Sequence, residues 1–300
     1  MSRARLIVLV AFLTIVVVSA LAFFASVSLP PVDSLTHTRP RHTSLMRARA
    51  AEAKRQGRRA VIDQRWVAYD HISPTLRRAV LIAEDDAFFS HDGLDWNEMK
   101  AAARANWAKG RIVRGGSTIT QQLAKNLYLG EERSIIRKLR EIVIARRMEE
   151  ALSKRRIFEL YLNLIEWGDG VYGAEAAARR YFGVSAHDLS PRQSALLAAV
   201  IINPRRYSPV HPQRRIERRM KKILGRMWRR GFLSESEYRV AIGEAPPPSF
   251  NPFDWLFGGS KPSPTPDAAP PPDTTWEEES TDEAAAPAPQ DTVASDTLPP

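Results

Sequence analysis

The acidic run Glu84-Asp85-Asp86 closes an apolar helical stretch, and His91, Gly93 and Asp95 follow in what reads as a loop. Three carboxylates at a helix C-terminus oppose the helix macrodipole, so a local rule is broken three times in succession. A carboxylate held there could take a proton from a hydroxyl. Some thirty residues on, Gly115-Gly116-Ser117-Thr118-Ile119-Thr120-Gln121-Gln122 leads a glycine pair into a helix start, leaving backbone N–H groups for an anion or a sugar oxygen. It lacks P-loop spacing. Lys125, Arg133, Arg137 and Lys138 follow within 14 residues, with Glu141 one turn past Lys138. Cations so gathered suit a pyrophosphate leaving group. Taken singly, each stretch has an ordinary alternative: a solvated acidic helix end, a capped turn, a solvated basic face.

Other chemistries are excluded. There is no cysteine, hence no disulfide, thiolate metal site or cysteine nucleophile. The six histidines show no H-E-x-x-H spacing, and S-x-x-K and G-x-S-x-G do not occur.

The elements that must carry these residues read as helices. Ser73-Pro74 predicts a capped start followed by Leu76, Ala79, Val80 and Ala83 at helical spacing. Thr118-x-x-Gln121 predicts a capping box opening a helix to about Tyr128. Ile135, Ile136, Leu139, Ile142 and Val143 form an amphipathic stripe, as do Ile157, Leu160, Tyr161 and Leu164. Ser190-Pro191 with Gln193 and Ser234-x-x-Glu237 repeat the capped start, and 214–230 puts an apolar face among nine Lys/Arg with Gly231 as its stop. Alternating β-type runs are nearly absent. The expected fold is mainly α.

The 300 residues are 44% hydrophobic and 26% charged, enough for a sizeable core and against wholesale disorder. The net charge of +10 conceals a split: residues 251–300 carry one Lys and ten Asp/Glu, leaving the rest strongly basic. Leu6 to Ala25 is a 20-residue apolar run broken only by Thr14 and Ser19, about the length needed to cross a bilayer as a helix. Arg3 and Arg5 precede it, and the positive-inside rule puts residues 1–5 in the cytoplasm and the body outside. The run exceeds a usual signal-peptide core, so an uncleaved anchor is expected rather than a cleaved leader. That orientation sets the basic body away from nucleic acid. The expected organisation is residues 1–5 cytoplasmic, 6–25 anchor, 26–60 basic spacer, 61–245 folded domain and 246–300 a Pro-rich acidic tail without fixed structure, holding 14 of the 22 prolines. Phe250–Phe257 is an aromatic island within that tail.

Five stretches together resemble the ordered motifs of family 51 glycosyltransferases, the peptidoglycan glycosyltransferases found alone or at the front of class A penicillin-binding proteins. They are EDDAFFSHDGLD (84–95), GGSTITQQLAKNLYL (115–129), RKLRE (137–141), ELYLNLIEWGDGVYGAEAAARRYFG (159–183) and ALLAAVIINPRRYSP (195–209). The resemblance spans roughly residues 60–242. It implies a lysozyme-like helical domain on the outer side of the inner membrane. It further implies polymerisation of lipid II into β-1,4 glycan with release of undecaprenyl pyrophosphate, with inversion. By motif position Glu84 is then the general base and Glu141 a second glutamate near the pyrophosphate. Lys125, Arg133 and Lys138 hold that group; Ser117, Thr118, Gln121, Gln122 and Asn126 line the sugar cleft; Asp85, His91 and Arg137 support. No cofactor is required, though Mg or Mn could accompany the pyrophosphate. Lipid II, the nascent glycan, the membrane and proteins of wall synthesis or division are the implied partners. Two rivals stand beside this reading. A lysozyme-like lytic enzyme would need a glutamate with a raised pKa in an apolar pocket, where the cation-rich sequence favours an ionised base. A non-enzymatic anchored scaffold would need no ordered polar motifs.

Overall fold

The computed structural model describes residues 3–27, 29–111, 115–130 and 134–244, with side chains described outside 21–28. Arg133, the tail 246–300 and Phe250–Phe257 lie outside the described residues. The helices, in chain order, are α1 (Arg3–Val27), α2 (Ser44–Arg55), α3 (Pro74–Glu84), α4 (Trp96–Lys109), α5 (Ile119–Tyr128), α6 (Ile135–Ala151), α7 (Lys154–Leu164), α8 (Ala174–Phe182), α9 (Pro191–Val200), α10 (Arg214–Arg229) and α11 (Glu235–Ile242).

Helix starts follow the sequence where a cap is local. Thr118, Ser190 and Ser234 each close a capping box with Gln121, Gln193 and Glu237. Ser73 does not: its hydroxyl goes to Thr75 and to the Leu189 carbonyl, and Pro74 alone sets the entry to α3. The core is built where α3, α9 and α10 pack together and where α5 packs on α6 and α7. Among the described residues one small sheet appears, which the sequence reading omitted. It has β1 (Asp63–Gln64), β2 (Glu166–Gly168) and β3 (Val171–Tyr172) in the order β1-β3-β2, with β1 parallel and β2 antiparallel to β3. The strands are too short for periodicity to reveal.

Gly168 on β2 is there for a close approach. A Cβ at that position would lie 1.8 Å from the Tyr181 hydroxyl, which donates to the Trp167 carbonyl. The phenol is rigid, so Gly168→Ala is expected to lower stability by about 1–3 kcal/mol, or roughly 2–10 °C in Tm by thermal melting. An unchanged Tm would mean that Tyr181 moves aside freely.

Two expectations need correction. The stripe Ile135, Ile136 and Leu139 is not the packing face of α6: these side chains are 81%, 63% and 53% exposed, while Glu141, Ile144, Ala145 and Met148 are buried. The helix turns a carboxylate inward because cations on α6 itself compensate it. Nor is the segment before residue 60 a plain tether. Val32, Leu35, Met46 and Ala53 are buried, Thr43 caps α2, and α2 packs on α5. Arg156 donates to the carbonyls of Leu35 and Thr38, and Arg49 pairs with Glu166 at 3.2 Å. Helix α1 is 25 residues, about 37 Å, and its described side chains are exposed; it is apolar enough to cross a membrane.

Candidate active site

The acidic run after α3 is resolved by giving each carboxylate a separate partner. Asp85 ends α3 yet lies at the N-terminus of α5, where its Oδ2 accepts from the Ile119 N–H at 2.9 Å. The charge that opposes one helix dipole therefore favours another. His91 Nε2 lies 3.0 Å from Asp85 Oδ1, closing the loop back on itself. Asp86 pairs with Arg230. Glu84 receives a donor on each oxygen: Arg219 from α10 on Oε1 at 3.0 Å and Gln122 Nε2 from α5 on Oε2 at 3.0 Å.

Gln122 is itself oriented. The buried Tyr161 hydroxyl on α7 donates to Gln122 Oε1 at 3.0 Å, which turns the amide N–H toward Glu84. Burial and the nearby carboxylates push the Tyr161 phenol well above its ordinary range, so it stays a donor. Burial also raises the Glu84 pKa from 4.5; Arg219 and the two hydrogen bonds pull the other way without overcoming it. Here the expectation of cation-rich surroundings is corrected. The cations of 137–138 gather on Glu141, and the cation at Glu84 is Arg219.

Glu141, 3% exposed, holds Arg137 at 2.8 Å through Oε2 and Lys138 at 2.5 Å through Oε1. Lys138 Nζ reaches on to the exposed Ser117 hydroxyl at 2.8 Å, so the glycine-pair loop is tied to α6. Lys125 is exposed on α5 and Asn126 is buried beside it. Thr118 and Gln121, expected to line the sugar cleft, are buried and serve the cap instead. The Thr118 hydroxyl also donates to the Gly93 carbonyl at 2.7 Å, and Gln121 Oε1 accepts the Thr118 N–H. Gly116 lets this loop press on α4, since a Cβ would lie 3.2 Å from Met99 Cα.

Two residues were missed. Arg219 was read only as one of the nine Lys/Arg around the apolar face of 214–230; its signal is position, three after Ile216 and four before Ile223 on the buried face. Tyr161 was read as a member of an apolar stripe, and nothing local marks its hydroxyl. Asp85, His91 and Asp95 bring a ligand atom each within 4.8 Å of one another. The carboxylates are already engaged, Asp85 with Ile119 and His91, and Asp95 with the Glu98 N–H at 2.8 Å that caps α4, while the His91 Nδ1 is buried without a partner. The cluster is a hydrogen-bonded post that ties the loop after α3 to the starts of α4 and α5.

The Transglycosylase family profile matches residues 52–228, and the chain belongs to that family. Its helical, lysozyme-like domain is the class the motifs implied. The chain is 48% identical over 188 residues to the biosynthetic peptidoglycan transglycosylase of Methylobacillus flagellatus, covering 63% of this chain and 82% of the relative. It is 51% identical over 172 residues to that of Aromatoleum aromaticum, 57% and 75% respectively. With the protein of that name from Thiobacillus denitrificans it shares 51% over 181 residues, 60% and 78%.

Proposed function

We propose that the protein is a membrane-anchored peptidoglycan glycosyltransferase that polymerises lipid II and releases undecaprenyl pyrophosphate. The observation that carries this is Glu84, held between Arg219 and the Tyr161–Gln122 relay. Glu84 takes the proton of the acceptor sugar's 4-hydroxyl as that oxygen bonds to the donor's anomeric carbon. The bond from that carbon to the pyrophosphate breaks, its electron pair leaves with the phosphate, and the α-linked donor becomes a β-1,4 link. A carboxylate with a pKa above the ordinary value is the stronger base. Burial leaves the Glu84 pKa raised despite donors on both oxygens, the direction that the lytic rival also needs, so the product made from lipid II, not this pKa, separates the two readings.

Arg137 and Lys138, fixed by Glu141, supply the positive charge for the departing pyrophosphate, with Lys125 and Arg133 proposed alongside. Glu141 thus acts through the cations it orients. Ser117, Gln122 and Asn126 are proposed to border the sugar. No step needs a cofactor of the protein's own; Mg or Mn accompanying the pyrophosphate would add to the neutralisation. Helix α1 is proposed to cross the inner membrane with residues 1–5 inside and the domain outside, where lipid II, the growing strand and other wall-synthesis or division proteins meet it.

Incubating purified full-length protein with lipid II and sizing the products on a gel tests the reading: long glycan is expected, and its absence overturns it. Lys138→Ala is expected to lower the polymerisation rate at least tenfold, because a charge-assisted contact to the leaving group is lost. A loss under twofold would remove Lys138 from the reaction.

A further inference from the structure

A concavity of mixed polar and apolar lining lies along α3. Tyr69, Pro74, Arg77, Arg78, Leu81 and Phe89 line about 300 Å³. Arg77 and Leu81 precede Glu84 by seven and three residues, so all three share one side of the helix, and Arg77 sits about 10 Å back along its axis. The pocket and the proposed base are therefore two stations on one helix side.

Its charge is unbalanced. Arg77 lies over the Tyr69 ring at 4.3 Å from the centroid and Arg155 over the same ring at 4.4 Å, while Arg78 lies over Phe232 at 4.4 Å. Arg155 has a carboxylate partner in Asp70. Among the described residues the Arg77 and Arg78 side chains make no hydrogen bond or ion pair, and the Arg77 Nε is buried without an acceptor. A buried polar group without a partner is costly and calls for an explanation. The aromatic rings hold the guanidinium planes in place, which prepares them for a planar, bidentate anion. Pro74, Leu81 and Phe89 add apolar wall for the carbon chain that would carry it.

We propose that this pocket binds a free carboxylate of the peptide stem that hangs from the glycan substrate, as a subsite distinct from the pyrophosphate group at Arg137 and Lys138. This rests on the peptidoglycan reading above. The acceptor's hydroxyl is at Glu84, and a peptide attached to the next sugar can extend along the same helix side toward Arg77.

The test measures binding of a soluble disaccharide-pentapeptide to the full-length protein, with the stem carboxylates either free or amidated. Wild type is expected to bind the free form roughly tenfold more tightly, as charge-assisted hydrogen bonds warrant. Arg77→Gln and the exposed Arg78→Gln should each shrink that preference, and Arg77→Lys should keep part of it. With lipid II as substrate, Arg77→Gln should raise KM roughly tenfold and leave kcat unchanged. Equal binding of both forms by wild type overturns the proposal. So does equal weakening of both forms in the variants, which would indicate a structural role. Unchanged fragment binding with loss of attachment to phosphatidylglycerol vesicles would assign the pocket to a lipid phosphate, and also overturns it. If discrimination holds while lipid II stays unpolymerised, the polymerase reading fails and the pocket stands.

Discussion

Glu84→Gln is expected to reduce lipid II polymerisation by about 10²–10⁴-fold, or roughly 3–5 kcal/mol of barrier. The amide keeps the size, but its single carbonyl oxygen can accept from Arg219 or from Gln122 and not from both, and it cannot accept the proton. Stability is expected to change with pH. Burial raises the carboxyl's pKa in the folded protein above its ordinary value. A group so shifted contributes stability that is full below its unfolded pKa and is lost as pH rises through the folded one. Above the folded pKa the wild type has lost that contribution, whereas the permanently neutral Gln retains it. The Tm difference between variant and wild type should therefore move in the variant's favour as pH rises from 4 through the folded pKa. A dead enzyme whose Tm difference does not move over that range would point to disruption of the Arg219 contact rather than to loss of a base. Polymerisation within threefold of wild type would move the base elsewhere. The lytic rival expects a wild type that clears cell walls and makes no polymer, and the scaffold rival expects Glu84→Gln to behave as wild type in every assay.

Much of the framework was legible because it is local. Thr118-x-x-Gln121, Ser190-Pro191 and Ser234-x-x-Glu237 specify helix starts through contacts three residues apart, and each is present. What the sequence hid is whatever depends on distant neighbours. Asp85 looks misplaced along the chain and is well placed in space, because the dipole it serves belongs to Ile119, 34 residues on. Glu166 on β2 meets Arg49 on α2 across 117 residues, so residues 44–55 read as a basic spacer and are a packed helix. The α6 stripe misled because apolar periodicity marks a face without saying which face is buried. Glu141 on the opposite side, with cations three and four residues before it, was the better guide. Glu84 was legible as a carboxylate out of place. Its environment was not, since Arg219 is 135 residues away and Tyr161 acts only through Gln122.

Arg219 offers the sharpest separation of roles at the site. It donates from α10 to Glu84 Oε1 and to the Ala83 carbonyl, and its side chain is mostly buried. Its guanidinium is the foremost influence lowering the Glu84 pKa against burial. Arg219→Gln removes that influence, so the carboxyl should become harder to ionise. The acid limb of the kcat/KM–pH profile should then move to higher pH, because only the ionised base is competent. At neutral pH the rate should fall by roughly 10–100-fold, the scale of one charge-assisted hydrogen bond, and recover part of that loss as pH is raised. Arg219→Lys, which keeps the charge but not the fork, should lie between the two. Combined with Glu84→Gln, the Arg219 change should cost little more, since its effect runs through a carboxylate that is already gone. A fall in rate with an unmoved acid limb, undiminished in the Glu84→Gln background, would instead put Arg219 in direct contact with the substrate.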